Sequence, residues 1–161
     1  MNATIDFATA DDLESMADLL AELFTLESDF KPERRKQIAG LRLILENPDI
    51  GRLFVVRIDG RVAGMANALF TVSTAEGCRV VLLEDVIVKA AHRGSGLGHK
   101  LVEHILDWSA ANGLPRVTLL ADKDNAPALA FYEQLGFEYS AMRVLRRKVP
   151  GRPLIPFSDH S

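Results

Sequence analysis

The run Arg93-Gly94-Ser95-Gly96-Leu97-Gly98-His99 concentrates small residues where a segment of helical periodicity begins. Glycine disfavours a helix interior by about 1 kcal/mol against alanine. Three of them within five positions imply that something approaches the main chain closely. A strand, a glycine-rich turn and a helix in succession can hold a phosphate, because unpaired N–H groups and the positive end of the helix dipole face the anion. Two familiar versions do not fit. The dinucleotide pattern G-x-G-x-x-G read from Gly94 meets His99 where glycine is required, and read from Gly96 it meets Leu101. A Walker A loop needs lysine and then Ser or Thr after its last glycine, and His99 follows Gly98. A structural tight turn stays open at this stage.

Glu84 and Asp85 stand together inside the apolar run "VVLLEDVIV". Carboxylates in such a strand are costly unless paired or solvated, which favours a cleft. Adjacent strand residues point to opposite faces, so one of the two at most faces that cleft unless a bulge intervenes. Cys78 is the single cysteine, which excludes an internal disulfide and fits a reducing compartment. His92, His99, His104 and His160 are read as lacking an acidic neighbour at i, i+4, and no metal site is expected.

These residues need elements to position them. The length suits one domain, and the net charge of −3 argues against a general nucleic-acid binder. The basic runs Arg34-Arg35-Lys36 and Arg146-Arg147-Lys148 read as solvated faces. No signal peptide is visible and no apolar run approaches the ~18 residues of a membrane span, so a cytoplasmic protein without membrane association is expected. Residues 3–7 read as a strand. Thr9 reads as an N-cap with Asp12 as its capping-box partner, followed by helical spacing of Leu13, Met16, Leu20, Leu23 and Phe24. Pro32 suits the first turn of a second helix bearing Ile38, Leu41 and Leu45. Asp59-Gly60 joins two strands as a hairpin. Residues 79–88 form a further strand, the glycine run opens a helix to about Asn112, and residues 116–121 form the next strand. Asp124 or Asn125 caps a short helix with Pro127 in its first turn and Gly136 as its stop. Residues 137–140 and 142–149 read as a closing hairpin. The result is a mixed α/β sheet of about seven strands with helices on both faces. It forms a single domain over residues 1–149, with an irregular tail over 150–161.

Two motifs together carry a family resemblance. Arg93-x-x-Gly96-x-Gly98 after "LEDVIV" resembles the acyl-CoA diphosphate loop of the GNAT superfamily of N-acetyltransferases. "NAPALAFYEQLGF" is similar to the same family's signature, with Asn125, Ala128, Phe131, Tyr132, Gly136 and Phe137 at matching positions. The resemblance covers about residues 80–138. It implies acetyl-CoA as co-substrate and a splay between the fourth and fifth strands. It also implies transfer of an acetyl group to a primary amine of a small molecule in a ternary complex. The backbone from Arg93 through Gly94, Ser95, Gly96, Leu97 and Gly98 to His99 would cradle the diphosphate, with Arg93 adding charge or standing as a surface arginine. Main-chain groups around Val86, Ile87 and Val88 would pair with the pantetheine arm and polarise the acetyl carbonyl. Asn125 would bond that arm or cap its helix.

Tyr132, with an ordinary pKa near ~10, would protonate the leaving thiolate; the alternative is an amphipathic tyrosine at a core edge. The triplet Leu83-Glu84-Asp85 is similar to that of diamine acetyltransferases of the spermidine/spermine type, where the matching glutamate is a proposed base. An alkyl amine of pKa near ~10.4 must lose a proton to attack, and Glu84 would accept it directly or through water; a salt-bridged strand pair is the alternative. Phe24, Glu27 and Asp29, with Asp85, would line the amine site. Two rivals remain: a non-catalytic acyl-CoA-binding or sensing module, and an N-acetyltransferase of proteins or peptides. Many family members dimerise, which leaves a homodimer open.

Overall fold

The computed structural model describes residues 2–26 and 33–154. Five strands hydrogen-bond in chain order: β1 (Ala3–Phe7), β2 (Gly51–Ile58), β3 (Arg61–Ser73), β4 (Cys78–Val88) and β5 (Val117–Leu119). The first four pair antiparallel, and β5 joins β4 in parallel across the helix α3 (Leu97–Ala111). A parallel neighbour requires such a crossover. Asp59 and Gly60 take φ of +50° and +78°, the left-handed pair that a tight β2–β3 turn demands.

Strand alternation sorts the apolar residues into two layers. Val55 and Met65 face α1 (Leu13–Leu26) and α2 (Arg34–Leu45), packing on Leu13, Met16, Leu20 and Leu41. The neighbouring Val56 and Ile58 face the other way and meet Leu97 of α3. On that side Trp108 sets its ring edge-on to the fully buried Phe54, with centroids 5.2 Å apart. The mixed sheet with helices on both faces is therefore present. By its contacts the chain divides into two units, Met1–Leu120 and Ala121–Ser161; the second carries α4 (Ala126–Gln134). Among the described residues no helix is long and apolar enough to cross a membrane.

The count of about seven strands is corrected to five among the described residues. Residues 137–140 and 142–149 form no strand. A two-stranded hairpin is marginal unless a third strand or an apolar face supports it. Here Val144 and Leu145 are adjacent rather than alternating, and Met142 and Leu145 are 87% and 95% exposed, so no apolar face is buried. Strand β5 is also shorter than the expected 116–121. Pro32 lies outside the described residues; α2 is preceded by Glu33 in extended conformation.

The start of α1 is tied to the sheet by one charged pair. The Asp12 carboxylate accepts the Thr9 backbone N–H at 2.8 Å, the expected reciprocal cap, and receives both Arg57 guanidinium nitrogens at 2.7 Å. The bonds from Arg57 hold the Asp12 carboxyl below the usual carboxylate value, against a burial that alone would raise it. The folded-state pKa is the lower one, so the pair stabilises fully above the unfolded value and the gain is lost as pH falls through the folded value. Asp12→Ala, which leaves Arg57 without its main partner, is expected to cost about 3 kcal/mol at pH 7. Urea titrations from pH 7 down to pH 3 should show this difference shrinking towards acid.

Candidate active site

In β4 the backbone direction switches once, at Asp85. The Val81 N–H donates to Arg116 O at 2.9 Å, on the β5 side, while the Lys89 N–H donates to Ala63 O at 2.8 Å, on the β3 side. Residues eight apart in a regular strand would point the same way. The discrepancy is one extra residue: Asn67 pairs with Glu84 and Met65 with Ile87, so one intervening residue of β3 opposes two of β4. This is a β-bulge, with Asp85 at φ +54°. Alternation counted back from Lys89 turns the Val86 and Val88 N–H groups away from β3, towards the β5 side. There the β4–β5 ladder has already ended, its last pair being Leu83 with Leu119. The expected splay between the fourth and fifth strands is this open stretch of edge.

The bulge also sorts the side chains. Directly paired residues share a face, so Glu84 lies on the same face as Asn67, Met65 and Ile87, the face that α1 and α2 cover. Glu84 is exposed there and Asp85 half-buried. The bulge that strict alternation left as an exception is thus present between these two carboxylates and β3. Asn67, 3% exposed, donates its amide to Asp85 Oδ2 at 2.7 Å. Sequence reasoning passed over Asn67; its signal was a lone amide within "GMANALF". Gly64 is needed beside the bulge, because a Cβ there would sit 2.7 Å from the Val56 side chain and 2.9 Å from Ile87 O.

After β4 a short 3-10 turn (Ala90–His92) leads into the glycine run. Gly94 and Gly96 take φ of +78° and +83°, and a Cβ on either would meet nothing within 4 Å. The conformation demands glycine, and the space above it is open to a ligand. The first intrahelical bond of α3 is from Lys100 N to Gly96 O, so the N–H groups of Leu97, Gly98 and His99 precede the hydrogen-bonded ladder. No acidic residue stands in the first turn to compete for them. Arg93, exposed, donates its Nε to Val88 O at 3.2 Å, and the Ser95 hydroxyl donates to His92 O. These two side chains brace the loop, whose donors then include the backbone amides at the start of α3 and the exposed end of the Arg93 guanidinium. A diphosphate suits that donor set and the open space.

In the second unit, Asn125 Oδ1 accepts from Ala128 N at 3.2 Å and caps α4, the second of its two expected roles. Tyr132 is half-buried, with Phe131 and Phe137 rings edge-on at 5.0 and 5.6 Å. Burial pushes its phenol above the ordinary value, so it keeps its proton at neutral pH. Ala128 is half-buried on the same helix. Glu27 and Asp29 lie outside the described residues, as does the side chain of Phe24. One sequence reading is corrected: His99 does have an acid at i+4, with Nδ1 3.6 Å from Glu103 Oε2 on the surface of α3. Among the described residues no group of three or more His, Cys, Asp or Glu is arranged to hold a metal ion.

Comparison with known proteins agrees with this geometry. The model of the acetyltransferase (GNAT) family matches residues 13–137. The chain is 31% identical over 97 residues to streptothricin acetyltransferase of Streptomyces lavendulae, covering 60% of this chain and 49% of the relative. It is 33% identical over 89 residues to glucosamine 6-phosphate N-acetyltransferase of Trypanosoma brucei brucei, covering 55% and 58%. The chain thus spans about half the length of these curated relatives. Among solved structures, a possible acetyltransferase from Clostridium difficile 630 superimposes with a TM-score of 0.86 at 18% identity, covering 94% of this chain and all of that one. A match running from the start of α1 to the residue after Gly136, over a sheet that opens beside β4, means that this chain belongs to the GNAT acetyltransferase family.

Proposed function

We propose that the protein is an acetyl-CoA-dependent N-acetyltransferase that acts on a primary amine of a small molecule by direct transfer. The observation that carries the reading is the continuity of donors in the first unit. The N–H groups of Val86 and Val88 on the open β4 edge lead into the free amides at the start of α3. The first set suits the amide-rich pantetheine arm and the acetyl carbonyl, and the second suits the diphosphate. The small-molecule acceptor class is supported by the names of the relatives, which act on streptothricin and on glucosamine 6-phosphate.

In this reading the protonated amine first gives a proton to Glu84, directly or through a water. The nitrogen lone pair then attacks the thioester carbonyl, the C–N bond forms, the C–S bond breaks and the nitrogen loses a second proton. The thiolate takes its proton from Tyr132, whose phenolate is reprotonated from solvent. The products are an N-acetylated amine, coenzyme A as free thiol and one proton released overall. Glu84 is exposed and so accessible to an amine, and Tyr132 retains its proton; the role of Tyr132 is drawn from its place in "NAPALAFYEQLGF".

Incubation with acetyl-CoA and a panel of polyamines, amino sugars and amino acids should release free thiol only when a suitable amine is present. Acetyl-CoA binding with no transfer to any amine or peptide would favour a sensing module instead. Tyr132→Phe should lower kcat by about 100-fold or more while leaving the calorimetric Kd for acetyl-CoA within a factor of about two. Gly96→Ala forces a side chain into left-handed backbone and into the diphosphate space, and should weaken acetyl-CoA binding by about tenfold or more. Unchanged affinity in that variant would move the diphosphate elsewhere.

A further inference from the structure

Strand β3 is buried on both of its faces, at Met65 on the side of α1 and α2, at Ala63 on the side of α3 and at Ala66 and Ala68, yet the polar Asn67, on the face of Met65, is almost fully buried as well. Its amide nitrogen is directed at Asp85 Oδ2, 2.7 Å away, and this leaves its own Oδ1 buried without a hydrogen-bond partner. The opposite orientation of the amide would set two oxygens against each other, so the orphan acceptor follows from the bond to the carboxylate. Asp85 meanwhile holds φ at +54°, which L residues adopt at a cost. A leucine at 67 and a glycine at 85 would each remove one of these penalties. Two unfavourable features joined by one hydrogen bond at the strand's change of direction point to a purpose beyond packing.

We propose that Asn67 is a positioning residue for acyl transfer: by clamping the Asp85 carboxylate it locks the bulge that aims the Val86 and Val88 N–H groups at the open edge of β4. The inference rests on the N-acetyltransferase reading for its catalytic consequence and on the geometry alone for the clamp. Without the clamp the stretch from Asp85 to Val88 can relax towards regular pairing with β3. The two N–H groups then lose their common direction, while the α3 amides and the glycine run stay as they are. Transition-state stabilisation by fixed donors suffers most, and diphosphate binding least.

Asn67→Leu, close in volume and relieved of the orphan acceptor, is the discriminating variant. It should fold with a Tm equal to or above wild type, lose about tenfold or more in kcat, and keep the Kd for coenzyme A within about threefold. In the Asp85→Gly background, where the left-handed backbone needs no clamp, the same substitution should cost less than about threefold. Turnover within twofold of wild type in stably folded Asn67→Leu would overturn the proposal, and so would a full additive loss in the Asp85→Gly background. Amide shifts of Val86 and Val88 in ¹⁵N-labelled protein test the clamp independently of turnover. They should move in Asn67→Leu and stay put in the surface control Arg61→Ala, and unmoved shifts in Asn67→Leu would overturn the clamp. If Asn67→Leu fails to fold, Asn67→Ser is put through the same measurements with the same expected losses. A wild-type protein that turns over no amine would sink the enzymatic reading, and the amide shifts would still decide whether Asn67 sets the bulge.

Discussion

A single extra residue in β4 decides which way the end of this strand presents its N–H groups. A regular strand would direct the N–H groups of Val86 and Val88 into the ladder with β3, where they would be satisfied and unavailable. The insertion at Asp85 reverses them onto the side where β5 has already stopped. Unpaired strand edges are usually a liability, since they invite pairing with any extended chain. On the function proposed above, that liability becomes a docking edge for an extended, amide-bearing ligand, limited to the few residues between the last β4–β5 pair and the end of the strand.

The same connection that creates this edge supplies the second set of donors. A parallel β5 cannot follow β4 by a hairpin, so the chain must cross over through α3, and the helix must begin just beyond the open edge. Every helix starts with N–H groups that have no partner within it. Gly94 and Gly96 keep the approach to them clear by taking backbone conformations in which no side chain intrudes. Topology thus makes an open strand edge and the unpaired amides of a helix start contiguous along the chain, and Arg93 Nε and the Ser95 hydroxyl brace the turn by bonds to Val88 O and His92 O.

Asp12 and the Glu84–Asp85 pair meet different neighbours. Asp12 is paired by a guanidinium and a backbone amide, which keeps it ionised and fastens α1 to β2. Glu84 stands exposed beside the bulge on the face that α1 and α2 cover, and Asp85 accepts a hydrogen bond from the Asn67 amide of β3. A carboxylate with an arginine on it is a poor proton acceptor, because the charged form is stabilised.

Much of this was legible in the residues themselves. The Asp59-Gly60 turn, the Thr9–Asp12 cap, the Asn125 cap and the glycine run are local, because each is set by what one or two residues permit at φ and ψ. The motif blocks at 93–98 and 125–137 are local for the same reason. What the sequence left open was whatever depends on a distant partner. Residues 142–149 have strand-forming composition but no ladder to join, so composition alone over-counted the strands. The bulge at Asp85 exists only as a register between β3 and β4, and no window of either strand contains it. Asn67 is an ordinary polar residue until β3 is laid against β4. Side-chain type and turn geometry are properties of neighbours in the chain, whereas the direction of an N–H group and the burial of an amide belong to the sheet, and only the folded sheet fixed them.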